Sequence, residues 1–156
     1  FKERFKHNLF LWFFGLTNVR LIIFCRTKIV YISKKNVVLY IPLKRQTRNH
    51  VKSMYIGTMT VGADLVTGLT AMLSIRRSKR KIILIFKDLN ATFLKRAEGD
   101  TYFTCHSVEE IESAVHEVIR SKDRVNINVP VIATVPDKFG EESVAEFTIT
   151  LSMKEY

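Results

Sequence analysis

Cysteines and long apolar runs are scarce in this sequence. The two cysteines, Cys25 and Cys105, form no CxxC pair, which argues against a disulfide framework and against a zinc site. The longest apolar runs, 8–16 and 21–25, fall well short of the roughly 20 residues that cross a bilayer. No secretory signal follows the basic start. These absences predict a soluble protein of a reducing compartment, the cytoplasm.

Acidic residues are almost absent from the first third of the chain. Residues 1–52 contain 12 Lys or Arg against one acid, residues 53–98 contain 8 against 3, and residues 99–156 contain 5 against 11. The net charge of +10 predicts an anionic partner, whether nucleic acid, membrane surface or phosphate-bearing molecule. Because no motif of interleaved basic and aromatic residues accompanies the charge, we do not expect nucleic acid. If the two ends of the chain lie on different surfaces, one face is basic and another acidic.

The size and the N-terminal pattern indicate a compact chain that opens with a helix. With 156 residues, 47% apolar and 26% charged, we expect one domain over residues 1–156. Residues 1–16 have Phe5, Leu9, Trp12 and Phe13 at helical spacing with lysines elsewhere on the turn, which predicts an amphipathic helix. Such a helix can lie in a membrane interface. Packing across the open end of a sheet or in a dimer groove is commoner, and we expect that here.

Residues 58–76 predict a second, longer helix at the centre of the fold. Its apolar stripe contains Val61, Leu65 and Leu69. Small residues on a buried helix let a neighbouring backbone approach closely, and this helix has four of them at 62, 63, 68 and 71. We therefore expect other elements to wrap around it.

Segments rich in Val, Ile, Thr and Phe predict six strands, over 29–33, 37–41, 81–93, 101–105, 125–135 and 143–154. The first two form a hairpin around Lys34-Lys35-Asn36. A further helix is predicted over 107–121, where Ser107 and Glu110 have the spacing of a capping box. This order predicts an α+β fold in which an antiparallel sheet wraps around the central helix, with an N-terminal helix and an extra helix inserted between strands.

Two segments carry a resemblance to a known family. In Tyr55-Ile56-Gly57, followed by Ala63-Asp64, the sequence is similar to a His-Gly-Gly turn with an Ala-Asp pair in the helix behind it. Tyr55 and Ile56 replace the usual His and Gly. The run Phe93-Leu94-Lys95-Arg96-Ala97, ending in Gly99-Asp100, is similar to a strand signature in which proline is common at the position of Arg96. From about residue 28 to residue 154 the chain resembles the hotdog-fold thioesterase superfamily, closest to an uncharacterised thioesterase-like branch related to the phenylacetate-pathway acyl-CoA thioesterases.

The resemblance implies an activity and an assembly. Hotdog thioesterases hydrolyse acyl-CoA or acyl-carrier thioesters at a site between two subunits, so it implies a homodimer or a tetramer of dimers. Coenzyme A would enter only as part of the substrate, with no separate cofactor. The position of Asp64 is that of the general base or nucleophile, although an acid near a helix start is also favoured by the helix dipole alone. We expect no metal site, because the histidines and acids lack ligand spacing.

The turn before the central helix offers further candidates. The backbone N–H groups of Gly57, Thr58 and Met59 are expected to be free at the helix start and to polarise a thioester carbonyl. Asn49 resembles an Asn that often precedes this turn. His50 could donate to the carbonyl or to a carboxylate of a partner subunit, but a loop histidine is more often simply solvated.

Basic residues beyond the central helix are candidates for the phosphates of coenzyme A. We expect Arg76 and Arg77, together with Lys44, Arg45 and Arg48, to form a rim that steers these phosphates, with Lys95 and Arg96 as alternatives. The plain alternative is a solvated basic turn.

Two rival functions stay open. One is a non-catalytic protein that binds acyl-CoA or a fatty acyl group, suggested by the replacement of the His-Gly pair at Tyr55 and Ile56. The other is a hotdog dehydratase, which needs a histidine paired with an acid across the dimer. Only His50 is placed to serve there.

Overall fold

The protein, described here by a computed structural model over residues 2–156 with side chains from Arg4 onward, is built of one sheet and five helices in the described range. The helices are α1 (Lys2–Thr17), α2 (Arg20–Phe24), α3 (Ile56–Ser78), α4 (Val108–Ser121) and α5 (Pro136–Phe139). The strands are β1 (Lys28–Ile32), β2 (Val37–Ile41), β3 (Ile82–Phe93), β4 (Thr101–Cys105), β5 (Val125–Thr134) and β6 (Ser143–Glu155).

The six strands form one antiparallel sheet in the order β1-β2-β4-β5-β6-β3. After α3 the chain does not return to β2 but adds β3 at the far edge, beside the last strand. The concave face carries the alternate apolar residues of β6, including Phe147, Ile149 and Leu151, and these contact α3 in one core. The predicted α+β arrangement of a sheet around a central helix is confirmed.

The small residues of α3 explain how closely the sheet approaches it. A Cβ atom placed on Gly62 would lie 2.3 Å from the ring of Phe103, whose side chain is fully buried on β4. Only a residue without a side chain fits at this crossing. By length and hydropathy α3 could span a bilayer, but 56% of its apolar window is buried inside the protein, as in the core helix of a soluble protein.

The helix boundaries differ slightly from those expected. Helix α3 begins at Ile56, two residues earlier than predicted, because Tyr55 has the extended backbone of an N-cap residue. Helix α4 begins after Ser107, but the predicted capping box is wrong: the Ser107 side chain makes no capping hydrogen bond, and only its carbonyl accepts from the Ile111 N–H. Helix α4 instead depends on its apolar face, which packs beside the C-terminal half of α3.

Helix α1 faces the protein with the side opposite to the one predicted. Leu11 is buried, and Phe10 and Phe14 pack against the core. The expected stripe of Phe5, Leu9, Trp12 and Phe13 points outward, so the prediction that it packs across the sheet is wrong for the protomer. The physical reason is that α1 is apolar on both sides, and periodicity alone does not say which side the core selects.

Candidate functional site

Asp64 is a half-buried carboxylate on the face of α3 that looks toward β3. In the described part of the chain, no side chain donates a hydrogen bond to this carboxylate or forms an ion pair with it. Burial without a partner raises the pKa of Asp64 to about 6. At neutral pH the group is a carboxylate with an unusually high affinity for a proton, which suits a general base.

Two cavities meet at Asp64. The first, which we call cavity A, has a volume of about 430 Å³ between α1, α3 and β3, and its wall is apolar apart from Asp64 and Arg76. The second, cavity B, has a volume of about 360 Å³ and lies between α3 and the middle of β3. Thr60, Val61 and Asp64 line it from the helix side. Asp64 therefore stands where an apolar chamber meets a more polar one.

A bulge in β3 shapes the wall opposite Asp64. The pairing of β3 with β6 shifts register between Phe86 and Asp88, and the residues of this bulge line cavity B. Phe86 points inward and contributes to both cavities. Asp88 also lines cavity B, and its Oδ1 accepts a hydrogen bond of 2.6 Å from Thr150 Oγ1. The second carboxylate of this region is thus tied to the sheet, whereas Asp64 is not.

The first turn of α3 offers backbone donors, shifted by one residue from those expected. The Met59 N–H donates to the Tyr55 carbonyl at 3.0 Å, so the prediction that it is free is wrong. The amides without an intrahelical acceptor are those of Ile56, Gly57 and Thr58. The Tyr55 ring lies over Gly57, since a Cβ atom there would be 2.6 Å from its Cε1 atom. Access to these donors therefore depends on where the tyrosine ring stands.

The donors and the carboxylate lie on one strip of α3 but far apart within a protomer. Gly57, Thr60, Asp64 and Gly68 follow each other at spacings of three or four residues, which places them on one helix face. The seven residues from Gly57 to Asp64 correspond to about 10 Å along the axis. Groups that act on one carbonyl must each lie within about 3 Å of its atoms. A single protomer does not bring them together.

Asn49 and His50 lie in the loop that leads to α3. The side-chain oxygen of Asn49 accepts hydrogen bonds from the N–H groups of Val51 and Ser53, at 3.1 and 3.0 Å, so it organises this loop. Asn49 also lines a depression of about 190 Å³ with Met59 and Lys95. His50 is exposed and lines none of these cavities. Their catalytic roles stay predictions.

Lys95 and Arg96 are both engaged with neighbouring residues. Lys95 Nζ lies 2.6 Å from Glu142 and 4.9 Å from the centre of the Phe139 ring. Arg96 donates to the Val51 carbonyl at 2.6 Å and to Ser53 Oγ at 3.1 Å, so it fastens the loop before α3 to the end of β3. This bridge gives Arg96 a structural role at the position where the resembling family commonly has proline.

Arg76 and Arg77 lie at the other end of α3, about 30 Å along the axis from its start. Arg76 lines cavity A, and its guanidinium stands 4.7 Å from the centre of the Phe10 ring. Arg77 is 3.9 Å from Glu112. The basic loop 44–48 is near the start of α3, where the Thr47 carbonyl accepts from the Tyr55 N–H. A single protomer therefore does not bring these two groups to a common rim, and their contact with coenzyme A phosphates stays a prediction.

The Gly-Asp end of the strand signature has a structural explanation. Asp100 accepts hydrogen bonds from Tyr40 Oη at 2.5 Å and from the Leu43 N–H at 2.8 Å. It thereby fixes the chain where β2 ends. Burial, followed by the bond to the Asp100 carboxylate, raises the pKa of Tyr40 to about 12. The Gly-Asp motif in the sequence does not by itself show whether this aspartate has a structural or a catalytic role.

The apolar lining of cavity A was not foreseen. Phe10, Leu11 and Phe14 come from α1, and Ile82 and Leu84 come from the start of β3. Their spacing predicted helix and strand correctly, but their meeting at one chamber depends on how α1 folds back over α3. No local signal in the sequence reports this contact.

The family described as a domain of unknown function, DUF4442, matches residues 22–153. The chain belongs to this family. No curated protein matches its sequence. The match covers nearly the whole sheet, α3 and α4, and begins within α2, after the end of α1.

Solved structures share the fold of this DUF4442 protein at low sequence identity. Protein OLEI01261 of Chlorobaculum tepidum, of unknown function, has a TM-score of 0.82 at 13% identity, covering 96% of this chain and 94% of its own. PA5026 of Pseudomonas aeruginosa, described as a probable thioesterase, has a TM-score of 0.74 at 20% identity, covering 92% of both chains. Thioesterase HI1161 of Haemophilus influenzae has a TM-score of 0.65 at 9% identity, covering 89% and 85%. The protein has the hotdog fold of thioesterase-like proteins.

Proposed function

We propose that this DUF4442 protein hydrolyses an acyl thioester of coenzyme A or of an acyl carrier, at a site between two protomers. The observation that carries the proposal is Asp64, an unpaired and half-buried carboxylate with a pKa of about 6 where cavities A and B meet. The thioesterase descriptions of two proteins with the same fold support the reaction class. An apolar chamber of about 430 Å³ beside the carboxylate suits an acyl chain.

The reaction needs a nucleophile and a place for negative charge. In the proposed step, Asp64 takes a proton from a water molecule as the water oxygen attacks the carbonyl carbon. The carbonyl oxygen becomes an oxyanion, which the free amides at the start of α3 stabilise. Collapse of this intermediate breaks the C–S bond, and the departing thiolate takes the proton that Asp64 accepted from the water, which restores the carboxylate. The products are a carboxylic acid and a free thiol.

A second protomer would bring the backbone amides at the start of α3 close to an Asp64 carboxylate. The amides of one α3 are about 10 Å from Asp64 of the same helix. In a two-fold dimer, the amides of one protomer can face Asp64 of the other, and two equivalent sites result. Strand β3 supports this arrangement, because it is an edge strand of the sheet and carries the exposed apolar side chains of Ile83 and Ile85.

For the phosphates of coenzyme A, the contacts favour Arg76 and Arg77 over Lys95 and Arg96. Arg76 forms no ion pair within the described residues and stands in the wall of cavity A. Arg77 has only a long contact with Glu112. Lys95 and Arg96 would each have to leave a carboxylate at 2.6 or 2.9 Å. We assign the phosphate contacts to the two arginines of α3 on this ground.

One observation favours a second candidate, a non-catalytic protein that binds acyl-CoA. Tyr55 stands where the resembling thioesterases have histidine, and its ring lies beside Gly57, since a Cβ atom there would be 2.6 Å from its Cε1 atom. If the ring blocks the approach of a thioester carbonyl to the helix start, cavity A would only hold the acyl chain. The dehydratase alternative has no comparable support, because His50 lines none of the cavities around Asp64.

Release of free thiol from acyl-CoAs of graded chain length tests the proposal. We expect turnover by the natural protein and a loss of about 10²- to 10⁴-fold in Asp64→Asn, the range for removal of a general base. Asp88→Asn is the matched control, since Asp88 also lines cavity B but is bound to Thr150. It should retain most of the activity. Tight acyl-CoA binding without turnover at any chain length would favour the binding protein instead.

A further inference from the structure

The outward face of α1 is an apolar patch that nothing in the protomer covers. Phe5, Trp12 and Phe13 are 65%, 54% and 61% exposed, and Leu9 and Leu16 lie on the same stripe. On a helical wheel these five residues span about 100°, directly opposite the buried Leu11. We call them the α1 patch. Exposed apolar side chains in one group mark an interaction surface rather than a random part of the surface.

Cations without acidic neighbours border the α1 patch. Trp12 shares a cavity of about 490 Å³ with Arg26, Lys28 and the side chains of α2. Neither Arg26 nor Lys28 forms an ion pair within the described residues, and no acidic residue occurs between Arg4 and Ala63. The short helix α2 adds the exposed side chains of Leu21 and Phe24. The region thus combines large exposed apolar side chains with positive charge.

A second copy of the chain is a poor occupant for this surface. A two-fold contact places the same patch on both sides, so two surfaces that each carry Arg26 and Lys28 would face each other without a compensating acid. An acidic bilayer surface has the complementary charge, and an exposed Trp with Phe side chains suits the boundary between headgroups and acyl chains. A stripe of this width on one helix can enter the interface while the opposite face stays packed on the protein.

We propose that α1 and α2 dock on the surface of an anionic phospholipid bilayer. The α1 patch enters the interfacial region, and Arg26 and Lys28 contact lipid phosphates beside Trp12. Phe10, Leu11 and Phe14 on the other face of α1 line cavity A, so docking brings that cavity next to the membrane. If the proposed hydrolysis takes place at this site, its substrates are long-chain acyl thioesters that partition into membranes.

Flotation of the full chain with vesicles tests the docking. We expect binding to vesicles of phosphatidylcholine mixed with phosphatidylglycerol, and weaker binding to phosphatidylcholine alone or at high salt. Phe5→Ser with Phe13→Ser should weaken binding at least about ten-fold, because two exposed aromatic groups no longer enter the interface. Tyr31→Ser is the matched control, since Tyr31 is an exposed aromatic residue of β1 outside the patch. It should bind as the natural protein does.

A second pair of substitutions separates charge from apolar contact. Arg26→Gln with Lys28→Gln should reduce binding to the anionic vesicles by about five-fold per cation and leave binding to phosphatidylcholine unchanged. This pair also decides the question if the phenylalanine variant fails to fold. Equal binding by the natural protein and both variants overturns the proposal, as does a dimer that dissociates when the phenylalanines are replaced. Asp64→Asn should bind vesicles normally, so docking and hydrolysis fail independently.

Discussion

At the level of individual residues, one half-buried carboxylate lacks a partner in the described part of the chain, while three other acids are hydrogen-bonded or paired. Asp88 is bound to Thr150, Asp100 accepts from Tyr40 and from the chain after β2, and Glu155 pairs with Arg80 and Lys122. Asp64 has none of these partners among the described residues. A sequence shows that an acid is present on a helix. Whether its neighbours satisfy it depends on packing between elements that are distant in the chain.

The isolation of Asp64 has a cost in stability that depends on pH. Its pKa of about 6 in the folded protein lies above its ordinary value of 3.8, so between these values the folded protein holds a proton that the unfolded chain has lost. Its contribution to stability is fully present below pH 3.8 and is lost as the pH rises through about 6. We expect Asp64→Asn to be more stable than the natural protein at neutral pH, by on the order of 2 kcal/mol because solvent still reaches the group.

Urea unfolding at several pH values measures this effect. The stability gain of Asp64→Asn should grow as the pH rises from below 3.8 to above 6. Asp123→Asn, at an exposed loop position, is the control and should show little gain. A variant less stable than the natural protein at neutral pH would mean that a partner of Asp64 exists in solution. Hydrolysis should fall as the pH drops below about 6, where Asp64 becomes protonated.

At the scale of elements, α3 carries both the core and the site, and its glycines differ in what they do. Gly62 faces Phe103, which is fully buried, whereas Gly68 faces Phe86, which is 44% exposed at the cavities. Both appear in the sequence as small residues on a buried helix. The difference appears only where the sheet crosses the helix: the Phe103 ring cannot move away from Gly62, whereas the Phe86 ring can move away from Gly68.

The two glycines predict opposite effects of an added methyl group. Gly62→Ala should destabilise the protein by about 1–3 kcal/mol, because the new Cβ atom would lie 2.3 Å from the Phe103 ring. Gly68→Ala would contact Phe86 Cζ at 3.1 Å, and the exposed ring can shift, so the higher helix propensity of Ala should make it neutral or stabilising by up to about 1 kcal/mol. Thermal unfolding compares them. Equal losses would show that Phe86 is as fixed as Phe103.

Two helices end in a lysine with left-handed backbone, a conformation that favours glycine. Lys79 after α3 has a φ of 56°, and Lys122 after α4 has a φ of 63°. Lys79→Gly should raise stability by about 0.5–1 kcal/mol, because glycine adopts this conformation without strain. Lys122→Gly should gain less, since Lys122 also pairs with Glu155. Chemical unfolding tests the order, and a larger gain at Lys122 would mean that its ion pair contributes nothing.

In the folded molecule, some charges that are separated in the sequence form ion pairs, and the two edges of the sheet have different surroundings. Three glutamates of the acidic last third pair with cations of the middle third. These pairs are Arg77 with Glu112, Arg80 with Glu155 and Lys95 with Glu142. The excess positive charge therefore stays with the N-terminal third, where α1 and α2 lie.

The two sheet edges are also unlike each other. Edge strand β1 is covered in part by α1, where Asn8 exchanges hydrogen bonds of 2.8 and 2.9 Å with the backbone of Ile29. Edge strand β3 has no such cover and is exposed along most of its twelve residues. An uncovered apolar edge favours pairing with another chain, which agrees with the proposed dimer through β3.

Lysines on the β3 edge test that dimer. We expect the natural protein to sediment at twice its protomer mass of 18.1 kDa. Ile83→Lys with Ile85→Lys should shift it toward the monomer and lower thioester hydrolysis with it, because charge on an edge strand opposes pairing. Tyr31→Lys on the opposite edge is the control. Full activity in a strictly monomeric variant would contradict a site shared between protomers.

Local patterns of apolar residues were sufficient to predict the elements, their order and the α+β class. These follow from the spacing of apolar residues, which is local information. The predicted start of α3 lies within two residues of the observed start. The sequence also singled out Asp64 and the start of α3, because the Gly57 turn and the Ala63-Asp64 pair are short motifs. Such short motifs can be identified without knowing which residues pack against them.

Which groups come into contact followed from the packing of the elements and not from any local pattern. The tertiary structure showed that α1 turns its predicted stripe to the outside, because the helix is apolar on both sides and the core accepts one of them. It also placed Arg76 and Arg96 at opposite ends of α3, gave Arg96 a structural contact, and left Asp64 unpaired between two cavities. These outcomes depend on contacts between segments far apart in the chain, and no local pattern encodes such contacts.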